Sequence, residues 1–279
     1  MLFDLQTGKR RRVVQITFGA LAAIFAISFV FFGVGSGGVG GIGDLLEGDS
    51  GGSTDVSSAF DEDIEAAEAR LQANPNDAGA LSELVTLHFQ AGRQSVDENG
   101  LLTTEGEQEL QQSADAWNKY VEVSKGKVDP GIATIAFQTF DALGSTAFST
   151  ARTATSASEA LNDVNSAITD WEAAAETNRI LVDKQPTSAN YTRLAYYLYL
   201  SGQIPDADQA ANQAKQAKGA DPEAIDSQLE DVKQLGTQLQ SAVKQLAKQQ
   251  QPAGGATGGG ENPIGGLGGR LGATGGLGQ

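Results

Sequence analysis

The chain has 279 residues, with 35 acidic and 19 basic side chains and a formal net charge of −16 at pH 7. It holds no cysteine and one histidine, which excludes disulfides, thiolate nucleophiles and metal sites built from cysteine or from two imidazoles. The acidic balance argues against nucleic acid as a partner, because phosphate binding needs clustered Lys and Arg. The low aromatic content of 6% is typical of Ala-rich helices joined to flexible tracts.

The first 34 residues differ from the rest of the chain. Four consecutive basic residues occupy positions 9–12, and the uncharged stretch 13–34 reads VVQITFGALAAIFAISFVFFGV. A helix of this length extends about 33 Å, enough to cross the hydrocarbon core of a bilayer. The positive-inside rule therefore predicts a cytoplasmic tail over 1–12, a transmembrane helix over 13–34, and an extracytoplasmic position for everything beyond, at the cytoplasmic (inner) membrane.

Two alternatives apply to this N-terminal segment. A cleaved signal peptide would have a shorter apolar region, of about 7–15 residues, although Val-Gly-Ser at 34–36 could pass for a weak cleavage site. Gly19 and Ala23 have the small-residue spacing that lets transmembrane helices pack closely, as do Ala22 and Ala26. Formation of a homo-oligomer through this helix face is therefore the second alternative.

Two glycine-rich tracts enclose the region that is able to fold. Residues 35–52 hold nine glycines, so 35–57 is predicted to be a linker. A helical domain is expected over 58–251. Residues 252–279 hold 13 glycines, and their Leu and Ile are too sparse to form a core, so this tail is expected to be disordered.

Between these tracts the apolar residues follow a helical period. Pro closes each pair of helices, and Gly divides the two helices within a pair, as is usual for helix stop signals. The predicted helices span 59–73, 78–91, 106–125, 131–144, 157–184, 188–201, 205–218 and 222–250.

Residues 191–214, which read YTRLAYYLYLSGQIPDADQAANQA, carry a recognisable pattern. The relevant positions are Tyr191, Leu194, Ala195 and Leu198 in a first helix, Gly202 at a turn, and Ala207, Ala211 and Ala214 in a second helix. This order of residue types resembles the tetratricopeptide repeat, in which small residues stand where the two helices of a repeat approach closely. The resemblance implies a helix–turn–helix unit at this point.

Two earlier units resemble the same repeat less closely. The first has Leu81, Leu84, His88 and Gly92, then Ala114, Trp117 and Tyr120; the second has Ala133, Phe140 and Gly144, then Ala167, Trp171 and Ala174. Val85 replaces a glycine-like position, and two insertions break the 34-residue period. The resemblance covers about 75–218. It implies an all-α fold, a solenoid of antiparallel helix pairs in which the helix at 222–250 caps the last repeat.

In tetratricopeptide folds the first helices of successive repeats line a concave groove. The resemblance assigns to this groove Glu83, Thr86, Phe89, Gln138, Asp141, Thr192, Arg193, Tyr196 and Tyr199. Tyr and Arg side chains often carry much of the energy of an interface, so a peptide-binding patch is predicted, with Arg193 as its test residue. Packing of the tyrosines against the cap helix or a neighbouring repeat is the alternative.

The remaining patterns indicate no chemistry. Segment 95–107 resembles part of a calcium loop, but Ser95 and Gly106 stand where its end carboxylates belong, so a turn is expected. His88 lies on an apolar helical stripe and is expected to be a packed histidine. No nucleophile elbow, phosphate loop or dinucleotide fingerprint stands between a strand and a helix. The sequence therefore predicts no enzyme, no cofactor and no metal.

Together these features predict a membrane-tethered scaffold or adaptor that holds a protein or peptide partner at the outer face of the cytoplasmic membrane. The architecture is similar to that of membrane-tethered tetratricopeptide proteins that accompany the Sec translocon and periplasmic chaperones. An assembly component of an envelope complex is one alternative. A small-ligand binder that uses Arg193 and the tyrosines is another.

Overall fold

A computed structural model describes residues 60–98, 101–250, 262–265 and 267. The predicted basic tail at 1–12, transmembrane helix at 13–34 and linker at 35–57 lie outside the described residues. Within the described ranges, no helix combines the length and the apolar character that crossing a bilayer requires.

Eight α-helices make up the regular structure of the described residues. They are α1 (Asp61–Ala73), α2 (Ala78–Gln94), α3 (Thr104–Ser124), α4 (Pro130–Thr153), α5 (Ala157–Lys184), α6 (Ser188–Leu200), α7 (Ile204–Gln216) and α8 (Pro222–Gln250). The described part of the chain contains no strand, and its β-pairing is an isolated antiparallel bridge between Val96 and Leu102. The predicted all-α class is confirmed.

Side-chain caps explain where six of these helices begin. In each case an Asp, Ser or Thr just before the helix accepts a hydrogen bond from the backbone N–H of the third residue after it. The capping residues are Asp77, Thr103, Asp129, Ser156, Thr187 and Asp221. Each cap satisfies a donor that has no partner within the helix, so the sequence itself marks these starts.

Helix α4 is longer than the sequence predicts. The sequence predicts that this helix ends at Gly144, because glycine is a common stop signal, whereas the observed helix continues to Thr153. Gly144 is buried where α4 meets α5, and a Cβ there would come within 2.7 Å of the Trp171 indole. Phe148, one turn later, packs on the same indole with ring centroids 5.5 Å apart. Gly144 therefore allows α4 and α5 to pack closely and does not terminate α4.

The helices pack as successive hairpins. The most extensive contact joins α4 to α5, and similar pairs form between α2 and α3 and between α6 and α7. Across hairpins, α2 packs on α4, α3 on α4, and α5 on α6. Helix α8 lies against α6 and also contacts α5 and α7. This arrangement leaves α6 enclosed, and residues 194–200 are all buried.

A residue of the glycine-rich tail also joins the core. Ile264 is fully buried and belongs to the same apolar cluster as the helices, and Leu267 packs against that cluster. The sequence predicts disorder for 252–279, whereas Ile264 and Leu267 of this tail lie against the core of the helical domain. Hydrogen bonds from the Asn262 side chain to the Ala151 and Ala154 carbonyls at the end of α4 hold the segment in place.

The Gly144→Ala variant tests the α4–α5 contact. We expect it to lower the free energy of unfolding by about 1–3 kcal/mol, because the added methyl group overlaps the Trp171 indole. This loss outweighs the higher helix propensity of Ala. Urea unfolding followed by circular dichroism measures it. Ser145→Ala, at the exposed neighbouring position, is the control and should change little; equal stability of Gly144→Ala and wild type would contradict the packing role.

Candidate functional site

The residues predicted to line a groove occur on the three first helices of the hairpins. Glu83, Thr86 and Phe89 are on α2, Gln138 and Asp141 are on α4, and Thr192, Arg193, Tyr196 and Tyr199 are on α6. Those on α2 and α4, and Arg193, are half-buried. The other three are buried.

The two tyrosines of the predicted patch lie inside the molecule. Tyr199 is 3% exposed; its hydroxyl donates to Asp208 Oδ1 at 2.5 Å, and the Lys233 ammonium lies 5.6 Å from its ring centroid. Tyr196 is 8% exposed and meets Tyr197 edge to face at 5.0 Å. The expectation that they form an accessible patch is therefore wrong: enclosure of α6 by its neighbours leaves them packed.

Thr192 is buried as well. It is 4% exposed, and its hydroxyl donates to the Ser188 carbonyl one turn back, at 2.9 Å. Its hydroxyl therefore forms a hydrogen bond within α6. The prediction that Thr192 lines an accessible groove is wrong, because α6 is enclosed by its neighbours.

A cluster of polar and aromatic side chains joins α4 to α6. The Tyr197 hydroxyl donates to Asp141 Oδ1 at 2.7 Å, and the Arg193 guanidinium lies 4.9 Å from the centroid of the Phe137 ring. Burial raises the pKa of Asp141, while the Tyr197 hydrogen bond and the charge of Arg93 act in the opposite direction. Burial also lowers the pKa of Arg193. Arg193 and Asp141 therefore connect two hairpins.

Of the remaining predicted groove residues, some form hydrogen bonds within the molecule and others keep accessible surface. Glu83 Oε2 accepts a hydrogen bond from the Arg70 guanidinium at 2.7 Å, which ties α1 to α2. The Thr86 hydroxyl donates to the Ser82 carbonyl of its own helix. Phe89, and Gln138 on α4, are half-buried and keep accessible surface. Both residues therefore retain surface that a partner can contact.

An open groove that the sequence did not indicate runs between α3, α4 and α5. Its volume is about 630 Å³, and its apolar floor is made by Trp117, Val121, Phe140 and Ile180. Val121 and Ile180 are half-buried and so present apolar surface to solvent. We call this the α3–α5 groove.

A second groove lies between α5, α6 and α7. It has a volume of about 350 Å³, and Tyr191, Leu194 and Leu198 line its floor. We call it the α5–α7 groove. Arg179 and Asp183 border both grooves, so the two adjoin along α5.

Carboxylates dominate the rim between the grooves. Arg179 Nε lies 3.0 Å from Glu176 Oε1, and its terminal nitrogen lies 3.5 Å from Asp206 Oδ2. Asp183 adds a third carboxylate beside this arginine. The rim is therefore negative around an arginine that is already paired.

The histidine and the calcium-like segment have structural roles. His88 is 4% exposed, and its Nδ1 lies 2.8 Å from Glu109 Oε2, which links α2 to α3 as a packed histidine would. Asp97 exchanges hydrogen bonds with the backbone of Leu101 through its own N–H and its carboxylate. Among the described residues, no group of three or more His, Asp or Glu side chains could hold a metal ion.

Known proteins give no guide to the use of these grooves. Comparison of the chain with protein-family models, with curated proteins and with solved structures finds no match in any of the three. Its function is therefore inferred from its own residues and geometry.

Replacing Tyr197 by Phe tests the Asp141 cluster. The change removes the donor to a half-buried carboxylate whose pKa is raised by burial, so we expect a loss of about 1–3 kcal/mol in the free energy of unfolding. Urea unfolding at pH 7.5 measures it. Tyr191→Phe, at a half-buried tyrosine of the same helix, is the matched control. Equal stability of the two variants would show that the bond between Tyr197 and Asp141 contributes nothing.

Asp170 on α5 gives the domain a pH-dependent stability. Burial and, secondarily, the charge of Glu107 raise the pKa of Asp170 to about 7. An unfolded aspartate titrates near pH 4, so between about pH 4 and pH 7 the folded state binds more protons than the unfolded state. The contribution of Asp170 to stability is therefore favourable at low pH and decreases as pH rises through this range.

The Asp170→Asn variant should not show the decrease in stability that Asp170 causes as pH rises. We expect the variant to exceed wild type in free energy of unfolding at pH 8 by on the order of 1 kcal/mol, a value reduced for partial solvent screening. The difference should shrink towards pH 4. Urea unfolding at several pH values measures it, with Asp115→Asn at an exposed position of α3 as control. Parallel pH profiles for Asp170→Asn and wild type would refute the assignment.

Proposed function

We propose that the protein is a membrane-tethered scaffold that holds a protein partner noncovalently at the outer face of the cytoplasmic membrane. The proposal combines the predicted transmembrane helix at 13–34 with a helical domain of the tetratricopeptide type, extended as a solenoid of helix pairs and capped by α8. The hairpin packing of α2–α3, α4–α5 and α6–α7 supports this reading of the domain. No catalytic step is part of the proposal.

The observation that carries the proposal is the pair of adjoining grooves along α5. The floor of the α3–α5 groove presents the half-buried apolar side chains of Val121 and Ile180, and the α5–α7 groove adds Tyr191 within a more polar lining. Apolar surface of this kind, rimmed by polar groups, is typical of protein interaction sites. The two grooves adjoin along α5, where Arg179 and Asp183 border both, and a continuous open surface of this kind favours a peptide segment or helix as the occupant.

Charge indicates the chemistry of the partner. Residues 60–250 contain 29 acidic and 14 basic side chains, a net charge of −15. At the grooves this excess takes the form of Glu176, Asp183 and Asp206 around Arg179. We therefore propose an amphipathic segment that places apolar side chains on the groove floor and Lys or Arg along the rim.

The test is a crosslinking pull-down from intact membranes with Val121→Lys combined with Ile180→Lys. Lys retains an apolar stem and can extend its charge into solvent, so the fold is expected to survive while a basic partner is repelled. We expect the crosslinked partner of wild type to be lost, with the helical circular dichroism unchanged.

Phe89→Lys is the matched control on the first-helix face, where the repeat resemblance places the groove. Loss of the partner with Phe89→Lys but not with the double variant would move the binding site to that face and overturn our assignment. Retention by both variants would remove the helical domain from the interaction and favour an assembly role through the predicted transmembrane helix.

A further inference from the structure

We propose that the C-terminal end of α4 is a recognition site for a short Asn-Pro-aliphatic peptide turn, and that the chain fills this site with its own Asn262–Gly265 segment. The proposal goes beyond the scaffold function and does not depend on it. None of the α4 residues that hold the segment lines the α3–α5 or the α5–α7 groove.

Asn262 makes the specific contacts of this site. The last carbonyls of an α-helix have no partner within the helix. The Asn262 side-chain amide donates to two carbonyls at the end of α4, those of Ala151 at 2.9 Å and Ala154 at 3.3 Å. Its amide oxygen accepts the backbone N–H of Ile264 at 3.0 Å. Both ends of one amide side chain are thus used, which few other residue types could reproduce.

The segment is pre-organised by its own sequence. The Gly265 N–H donates to the Asn262 carbonyl at 3.2 Å, closing a β-turn over Asn262–Gly265. Asn at the first position, Pro at the second and Gly at the fourth are the residue types that a type I turn favours. A peptide that already prefers its bound shape loses less conformational freedom on binding. The residue types in this turn therefore suit recognition.

Ile264 supplies the apolar anchor. Its side chain is 0% exposed and belongs to the core cluster that also contains Phe148 and Ala151 of α4. Leu267 follows through a bond from its N–H to the Ile264 carbonyl at 2.9 Å and packs on the same cluster. Short peptide motifs are usually bound through a few anchor residues, and here one buried aliphatic side chain lies beside one polar anchor.

The Asn262–Gly265 segment acts as a tethered ligand of the α4 end, because a long stretch of chain separates it from the last helix. Eleven residues separate the end of α8 at Gln250 from Asn262, and five of them are glycine. A tethered segment of this length acts at an effective concentration near the millimolar range. A free peptide with the same turn therefore has to compete with the tail, and a chain whose tail cannot bind leaves the site open.

The experiment uses the full chain with Asn262→Ala and Ile264→Asp together, and a fluorescein-labelled peptide of the sequence GENPIGGLG. We expect fluorescence anisotropy to show that the double variant binds the peptide at least tenfold more tightly than wild type does. Unchanged helical circular dichroism should accompany this gain, since the substitutions lie outside the helices. The chain with Ile264→Val, which keeps an aliphatic anchor, should behave like wild type.

Three results would overturn the proposal. Failure of the double variant to bind the peptide at millimolar concentration would show that the end of α4 recognises no free peptide. Equal affinity of wild type and double variant would show that the tail does not occupy the site. A labelled peptide with Asp in place of Ile264 tests the anchor, and binding as tight as that of the unaltered peptide would likewise contradict the assignment.

Discussion

Three pairs of helices in the described part of the chain approach each other closely at a glycine. A Cβ on Gly92 would lie 2.8 Å from the Gly106 carbonyl oxygen, one on Gly144 would meet the Trp171 indole, and one on Gly236 would overlap the Tyr199 carbonyl. These contacts fix the spacing between α2 and α3, α4 and α5, and α6 and α8. Because alanines fill much of the remaining core, the close approach that glycine permits is what brings enough atoms into contact.

Much of the helical pattern could be predicted because its signals are local. Caps such as Asp129 and Ser156 satisfy backbone donors at the positions where the sequence suggested helix starts. The end of α4 could not be predicted in this way. A single sequence does not show whether a glycine ends a helix or lets two helices pack closely. At Gly144 the position of the Trp171 indole opposite the glycine distinguishes the two roles.

The candidate sites depend on contacts that are distant in sequence. Burial of Tyr196 and Tyr199 follows from the packing of α6 against its neighbours, including α8, which helical periodicity alone does not indicate. The groove floors combine residues from three helices, as with Val121, Phe140 and Ile180. For the tail, the signal was present as Asn-Pro-Ile-Gly, a favourable turn sequence, but the helix end that it caps lies more than 100 residues earlier.

The enclosure of α6 has a consequence for synthesis. Gly236 of α8 lies against the Tyr199 carbonyl, so α8 completes the surroundings of a helix that ends at Leu200. Ribosomes add about 5–20 residues per second, and the fifty residues from Leu200 to Gln250 take about 3–10 s. During this interval the nascent chain exposes the side of α6 that α8 will cover. Transiently exposed apolar surface favours aggregation, so α6 is fully protected only after α8 has been synthesised and has docked.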